Sequence, residues 1–150
     1  MVMEKRFETF THLIAKANRL VFKIKTEEME KFNLRSSHVS CLYYLYKGKT
    51  LTAKELSDIC GEDKANLSRT VSYLEKNGFV KCESTAKKRY QSALFLTEQG
   101  LSVARVIADK IDAVLERASL GLSEENRLVF YNSFSLICAN LEKICKEYKD

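Results

Sequence analysis

The 150-residue chain contains no proline, and its five glycines are isolated from one another. That spacing leaves no phosphate-cradling P-loop, dinucleotide fingerprint or nucleophile elbow, and neither histidine, His12 or His38, lies near a plausible nucleophile in sequence. An enzyme is not expected. The longest uninterrupted apolar run, Cys41 to Tyr46, is far below the roughly 20 residues of a membrane span, and the opening MVMEKRFETF has no signal-peptide core. The expectation is a cytoplasmic protein without a membrane partner. The cysteines (Cys41, Cys60, Cys82, Cys138 and Cys145) are odd in number and form no CxxC pair, which argues against a disulfide scaffold and a zinc ribbon. Nothing here implies a metal or another cofactor.

What the chain does have is a 45% hydrophobic content, enough for one domain or for two small units sharing a core. It also has a local excess of positive charge. Between Lys64 and Arg89 stand seven basic residues (Lys64, Arg69, Lys76, Lys81, Lys87, Lys88, Arg89) and two acidic ones (Glu75, Glu83), an excess as large as the whole chain's formal net charge of +5. Such a concentration matters more for the choice of partner than the modest total.

Both ends of the chain carry heptad seams. From about Glu4 to Phe32, the residues Phe7, Phe10, Ile14, Ala17, Val21 and Ile24 recur at alternating spacings of three and four, which predicts a helix with one apolar stripe. Ser123, followed by Glu124 and Glu125, reads as the N-cap of a last helix carrying Phe130, Phe134, Ile137, Leu141, Ile144 and Tyr148. A third helix, Thr97 to about Ser119, repeats the pattern through Leu101, Ala104, Ile107, Ile111 and Val114. Covering three such stripes takes more surface than a small middle domain offers, so a homodimer built from the two chain ends is expected. An intramolecular three-helix bundle is the alternative that periodicity leaves open.

The middle of the chain reads as a compact unit. Ser36 to Lys47 predicts a helix with Val39, Leu42, Tyr43 and Tyr46 on one side, ended by Gly48. In LTAKELSDICGEDKANLSRTVSYLEKNG, Thr52 and Glu55 form a capping box, Gly61 closes the short helix, and Asp63 caps the next one. This is a helix-turn-helix pattern. After Gly78 the period shortens: FVKCE and YQSALFL predict two antiparallel strands joined by a charged loop, Ser84 to Arg89. The fold class is thus mainly α with a small β-hairpin wing. Its expected parts are an N-terminal dimerisation helix (1–33), a winged helix-turn-helix unit (34–97) and C-terminal dimerisation helices (98–150).

On the second helix of the pair, Leu67, Val71 and Leu74 cluster on one face with Thr70 at the edge, while Ala65, Arg69, Ser72 and Lys76 lie opposite, flanked by Asn66, Ser68 and Tyr73. Short side chains near a helix N-terminus let its backbone approach base edges in the major groove. Asn can then pair with adenine and Arg with guanine in bidentate fashion. A solvated face that meets an acidic protein partner is the competing reading.

Residues from about Leu34 to Gly100 resemble the MarR family of bacterial transcriptional regulators, through LTAKELSDICGEDKANLSRTVSYLEKNGFV, a wing, and LTEQG. The resemblance implies an obligate homodimer with intertwined terminal helices that binds a pseudo-palindromic operator and usually represses until a ligand or oxidant intervenes. It places base contacts on Ala65, Asn66, Ser68 and Arg69, with Ser72 and Lys76 nearer the phosphates. The family's Asp-x-Arg wing pattern falls on Lys88 and Tyr90, so either Arg89 takes the minor-groove role after a one-residue shift, or Lys87 and Lys88 hold phosphates.

The resemblance also implies a small aromatic or amphipathic effector, for which Phe10, His38, Tyr43, Tyr44 and Tyr46 are candidate lining residues; aromatic residues at these spacings also suit a plain core. The peroxide-sensing members carry a cysteine near the start of the first helix, where this chain has none. Cys138 and Cys145, seven apart beside the last seam, read as small apolar fillers, with an intersubunit disulfide and a thiol-based regulator as the alternative.

Overall fold

The computed structural model describes residues 6–83 and 89–148. Along the chain run α1 (Arg6–Met29), a 3₁₀ turn (Glu30–Phe32), α2 (Ser36–Gly48), β1 (Leu51–Thr52), α3 (Ala53–Cys60), α4 (Lys64–Lys76) and β2 (Val80–Cys82). A second 3₁₀ turn (Arg89–Gln91), β3 (Ala93–Leu96), α5 (Glu98–Ala118) and α6 (Glu124–Glu147) follow. Contacts group the chain into two compact units that divide between Lys110 and Ile111. Among the described residues, no helix is long and apolar enough to cross a membrane.

In the first unit, Leu42, Leu45, Leu56, Leu67, Leu74, Leu94 and Ile107 are fully buried. They come from α2, α3, α4, β3 and α5, so a single core holds the helix-turn-helix against the sheet. Each such side chain contributes about 1.5–3 kcal/mol of transfer free energy. α1 is tied into this unit by polar contacts near its end: Lys25 Nζ donates to Ser40 Oγ at 2.8 Å, and Glu28 pairs with Lys110. Burial is the main influence on the Lys25 ammonium and lowers its pKa, while nearby Cys60 and Glu62 pull the other way.

The sheet has three strands in the order β1-β3-β2, all antiparallel. The expected pair is present as β2 and β3, in register through Val80↔Leu96, Lys81↔Phe95 and Cys82↔Leu94. Two details differ from the sequence reading. β1, pairing Leu51 with Leu94 and Thr52 with Ala93, is a third strand, and at two residues it is too short to show any alternation. The second strand begins at Ala93 rather than at Tyr90, because residues 89–91 turn as a 3₁₀ helix.

The connection from wing to α5 explains the LTEQG motif. Thr97 Oγ1 donates to the Gly78 carbonyl at 2.6 Å and accepts the Gly100 N–H at 3.0 Å. A Cβ on Gly100 would fall 1.9 Å from the Phe79 carbonyl oxygen, so only glycine lets α5 approach the backbone of Phe79 this closely. Its expected apolar stripe is buried at Ala104 and Ile107.

In the second unit, Ser123 caps α6 by accepting the Asn126 N–H at 3.2 Å, and Arg127 bonds Glu116 at 3.2 Å. None of the described residues of α6 is buried. Phe130 is 55% exposed, Leu141 45% and Leu136 63%.

Candidate nucleic-acid interface

The helix-turn-helix is built from local hydrogen bonds that its sequence encodes. Thr52 Oγ1 accepts the Glu55 N–H at 3.2 Å, while the Glu55 carboxylate accepts the Thr52 N–H at 2.7 Å. These bonds to Thr52 hold the Glu55 carboxyl below the usual carboxylate range. Gly61 ends α3 in the left-handed region at φ 64°, where a side chain would be strained. Ser57 Oγ then donates to the Glu62 carbonyl at 2.7 Å, locking the turn. Asp63 Oδ1 accepts the Asn66 N–H at 2.7 Å and so starts α4.

The two faces of α4 separate as the 3.6-residue period requires. Leu67, Thr70, Val71 and Leu74 are buried, whereas Ala65, Ser68, Arg69, Ser72 and Lys76 are all exposed. The outward face therefore presents small groups, one guanidinium and one ammonium, with no carboxylate among them. At the wing side, the Lys64 ammonium lies 4.8 Å from the centre of the Tyr90 ring. A cleft of about 360 Å³ opens there, with Lys64, Leu67, Ser68, Cys82 and Tyr90 among its walls.

A family model described as the MarR family matches residues 32–89. Over 125 residues the chain is 28% identical to an uncharacterized HTH-type transcriptional regulator, YwoH, of Bacillus subtilis (strain 168), covering 83% of this chain and 90% of that protein. Through this segment and this relative, the chain is similar to the MarR family of transcriptional regulators. Among solved structures, a MarR-family regulator from Listeria monocytogenes complexed with a 26mer DNA superposes with a TM-score of 0.81, at 21% identity, over 87% of each chain. The MarR protein of Staphylococcus aureus in complex with salicylate and kanamycin superposes with a TM-score of 0.79, at 20% identity, over 93% of this chain and 95% of that one. At these identities the superpositions establish the winged-helix fold.

In this MarR-like chain the candidate DNA-contacting residues Ala65, Ser68, Arg69, Ser72 and Lys76 share one exposed face. Asn66 is half-buried, and its side-chain amide donates to the Glu62 carboxylate, so it must be released before it can reach a base. Lys87 and Lys88 lie outside the described residues, as does the Arg89 side chain. Tyr90, the position that aligns with the family's wing arginine, faces Lys64 instead.

The candidate effector residues divide. Tyr43 and Tyr44 meet edge to face, with ring centres 5.3 Å apart, and the Lys47 ammonium lies 5.6 Å from the Tyr43 ring and 5.9 Å from the Tyr46 ring. Phe10 on α1 is half-buried. His38 turns elsewhere: it stacks on Tyr73 and lines a cleft of about 390 Å³ that also includes Arg35, Asn66 and Arg69. Sequence reasoning passes over that stack. Tyr73, the only aromatic residue of α4, was the one available signal.

Burial pushes the Cys41 thiol up to about 12 and the Cys60 thiol up to about 11, which suppresses the reactive thiolate at both. Cys138 and Cys145 are exposed on α6. Among the described residues no group of three or more His, Cys, Asp or Glu side chains is arranged to hold a metal ion.

Proposed function

We propose that the protein is a cytoplasmic homodimeric repressor that reads a pseudo-palindromic operator with the outward face of α4 and is released by a small aromatic or amphipathic effector. The observation that carries this reading is the composition of that face: Arg69 and small polar neighbours stand exposed while the apolar side is fully used in the core. In this reading Ala65, Asn66, Ser68 and Arg69 address base edges, and Ser72 and Lys76 address phosphates. Lys87, Lys88 and Arg89 carry the wing's contacts to the backbone and minor groove. The DNA bound by the Listeria relative supports the choice of partner.

Residues 1–33 and 98–150 supply the dimer in this division of labour. The exposed apolar stripes of α1 (Ile14, Val21, Ile24) and of α6 (Phe130, Ile137, Leu141, Ile144) support it, because solvated stripes of this length need a cover. Tyr43, Tyr44, Tyr46 and Phe10 are the residues assigned to the effector, a role supported by the salicylate held by the S. aureus relative.

The test is selection of bound duplexes from a random DNA library by the purified protein, with its mass in solution measured alongside. A dimer that enriches an inverted repeat, with half-sites about one helical turn apart, is the expected result. A folded protein that enriches no sequence points instead to an acidic protein partner for the face of α4.

A further inference from the structure

The start of α2 is bound to the recognition helix by contacts between segments far apart in the chain. The His38 imidazole lies face to face with the Tyr73 ring, centroids 4.2 Å apart and planes 4° from parallel. The Tyr73 hydroxyl donates to the Asn33 carbonyl at 2.7 Å. His38 Nδ1 accepts the Arg35 backbone N–H at 3.0 Å, so the neutral ring carries its proton on Nε2. His38 is only 6% exposed, which leaves its ring little freedom to follow Tyr73 if that side chain moves.

Tyr73 lies one helical turn after Arg69 on neighbouring faces of α4. Whatever fixes the Tyr73 ring therefore adds to the core contacts of Leu67, Thr70, Val71 and Leu74 in setting the rotation of α4 about its axis, and with it the direction in which Arg69 points. We propose that His38 is a positioning residue for DNA reading: in its neutral form it clamps Tyr73 and sets the recognition helix, and its protonation releases that clamp.

The chemistry of the site gives the direction. A proton on Nδ1 replaces an acceptor with a donor facing the Arg35 N–H, leaving two donors opposed. It also adds a cation to a cleft already lined by Arg35 and Arg69. The Tyr73 ring face favours an imidazolium, and the Glu62 carboxylate bears on the cleft through the Asn66 amide that it binds. Burial, with Arg35 behind it, outweighs these and holds the imidazole below its ordinary value of 6.5. Because the folded protein binds this proton more weakly than the unfolded chain does, the clamp is complete above about pH 6.5 and is lost as pH falls through the lower folded value.

The proposal rests on the DNA-reading function above for its consequence but not for the clamp itself, so its test has two arms. The first needs no DNA: amide hydrogen exchange compares the protection of α4 with that of the first half of α5, near pH 7.5 and near pH 5, in the wild type and in His38→Gln. Protection of α4 that falls in acid in the wild type but not in the variant is expected, since a glutamine oxygen accepts the Arg35 N–H and does not titrate. Equal behaviour of the two proteins overturns the clamp. The second arm measures the ratio of affinities for the duplex won by selection and for a random duplex, which removes the general tightening of DNA binding as acid adds positive charge. The wild-type ratio should fall about tenfold between these pH values, the scale of a single hydrogen bond together with a ring stack. The His38→Gln ratio should hold, and His38→Ala should show the loss already at neutral pH. Ratios that move in parallel in the wild type and His38→Gln refute the positioning role. If selection yields no duplex while the exchange arm behaves as expected, DNA reading fails and the clamp stands.

Discussion

The recognition helix α4 and the last helix α6 are both amphipathic, yet the isolated chain treats them in opposite ways. On α4 every apolar residue of the inward face is buried, and the other face is polar. On α6 the apolar residues are as regular, yet none of the described ones is buried. The contrast separates two tasks. A helix whose apolar face is satisfied can offer its polar face to a ligand without structural cost, whereas the exposed Phe130, Leu141 and Ile144 of α6 form the surface to which the proposed dimer is assigned.

Truncation in the two regions should expose this difference, and the largest effect belongs to the core. Leu74→Ala, at a fully buried position, should cost about 2–5 kcal/mol in urea unfolding, at any protein concentration. Leu141→Ala should cost about 1–3 kcal/mol under conditions where copies associate, and within about 0.5 kcal/mol where they do not. A loss at Leu141 that ignores concentration would break the distinction, since it would mean that the chain's own residues cover α6.

The polar faces sharpen the same comparison. Arg69→Ala should lower affinity for the selected duplex by about 1–3 kcal/mol and relax preference at one base position in each half-site. An equal loss on selected and random duplexes would mean that Arg69 reads no base. Lys87→Ala with Lys88→Ala should weaken binding to all sequences alike and reduce the salt slope by about one unit for each phosphate no longer neutralised. If the slope in a titration with salt does not move, the wing lysines make no phosphate contacts.

Much of the reading unit was legible because its determinants are local. The Thr52–Glu55 box, the Gly61 turn and the Asp63 cap each span six residues or fewer, and each is present as the sequence indicates. The inward set of α4 followed from period alone. The misses share a different cause. β1 is two residues long, and Leu45 completes the buried side of α2 beside the tyrosines that the spacing favours. The His38–Tyr73 stack and the Tyr73–Asn33 bond join positions with no periodic relation, and the Glu62 hold on Asn66 depends on side-chain conformation. No spacing rule announces pairings of that kind. LTEQG lies between these cases: the motif could be recognised from its letters, but the reason for its glycine, the Phe79 carbonyl against which α5 is set, is tertiary.

In the proposed function, a self-sufficient helix α4 is placed on DNA by a pairing surface which only a second copy completes. The measurement that bears on it most directly is affinity for the selected inverted repeat before and after insertion of about five base pairs, half a helical turn, between its half-sites. Affinity should fall to that of a duplex carrying a single half-site, because a rigid pair cannot follow half-sites turned to opposite faces of the helix. Undiminished affinity for the lengthened site would contradict it, and would mean that each copy reads DNA alone.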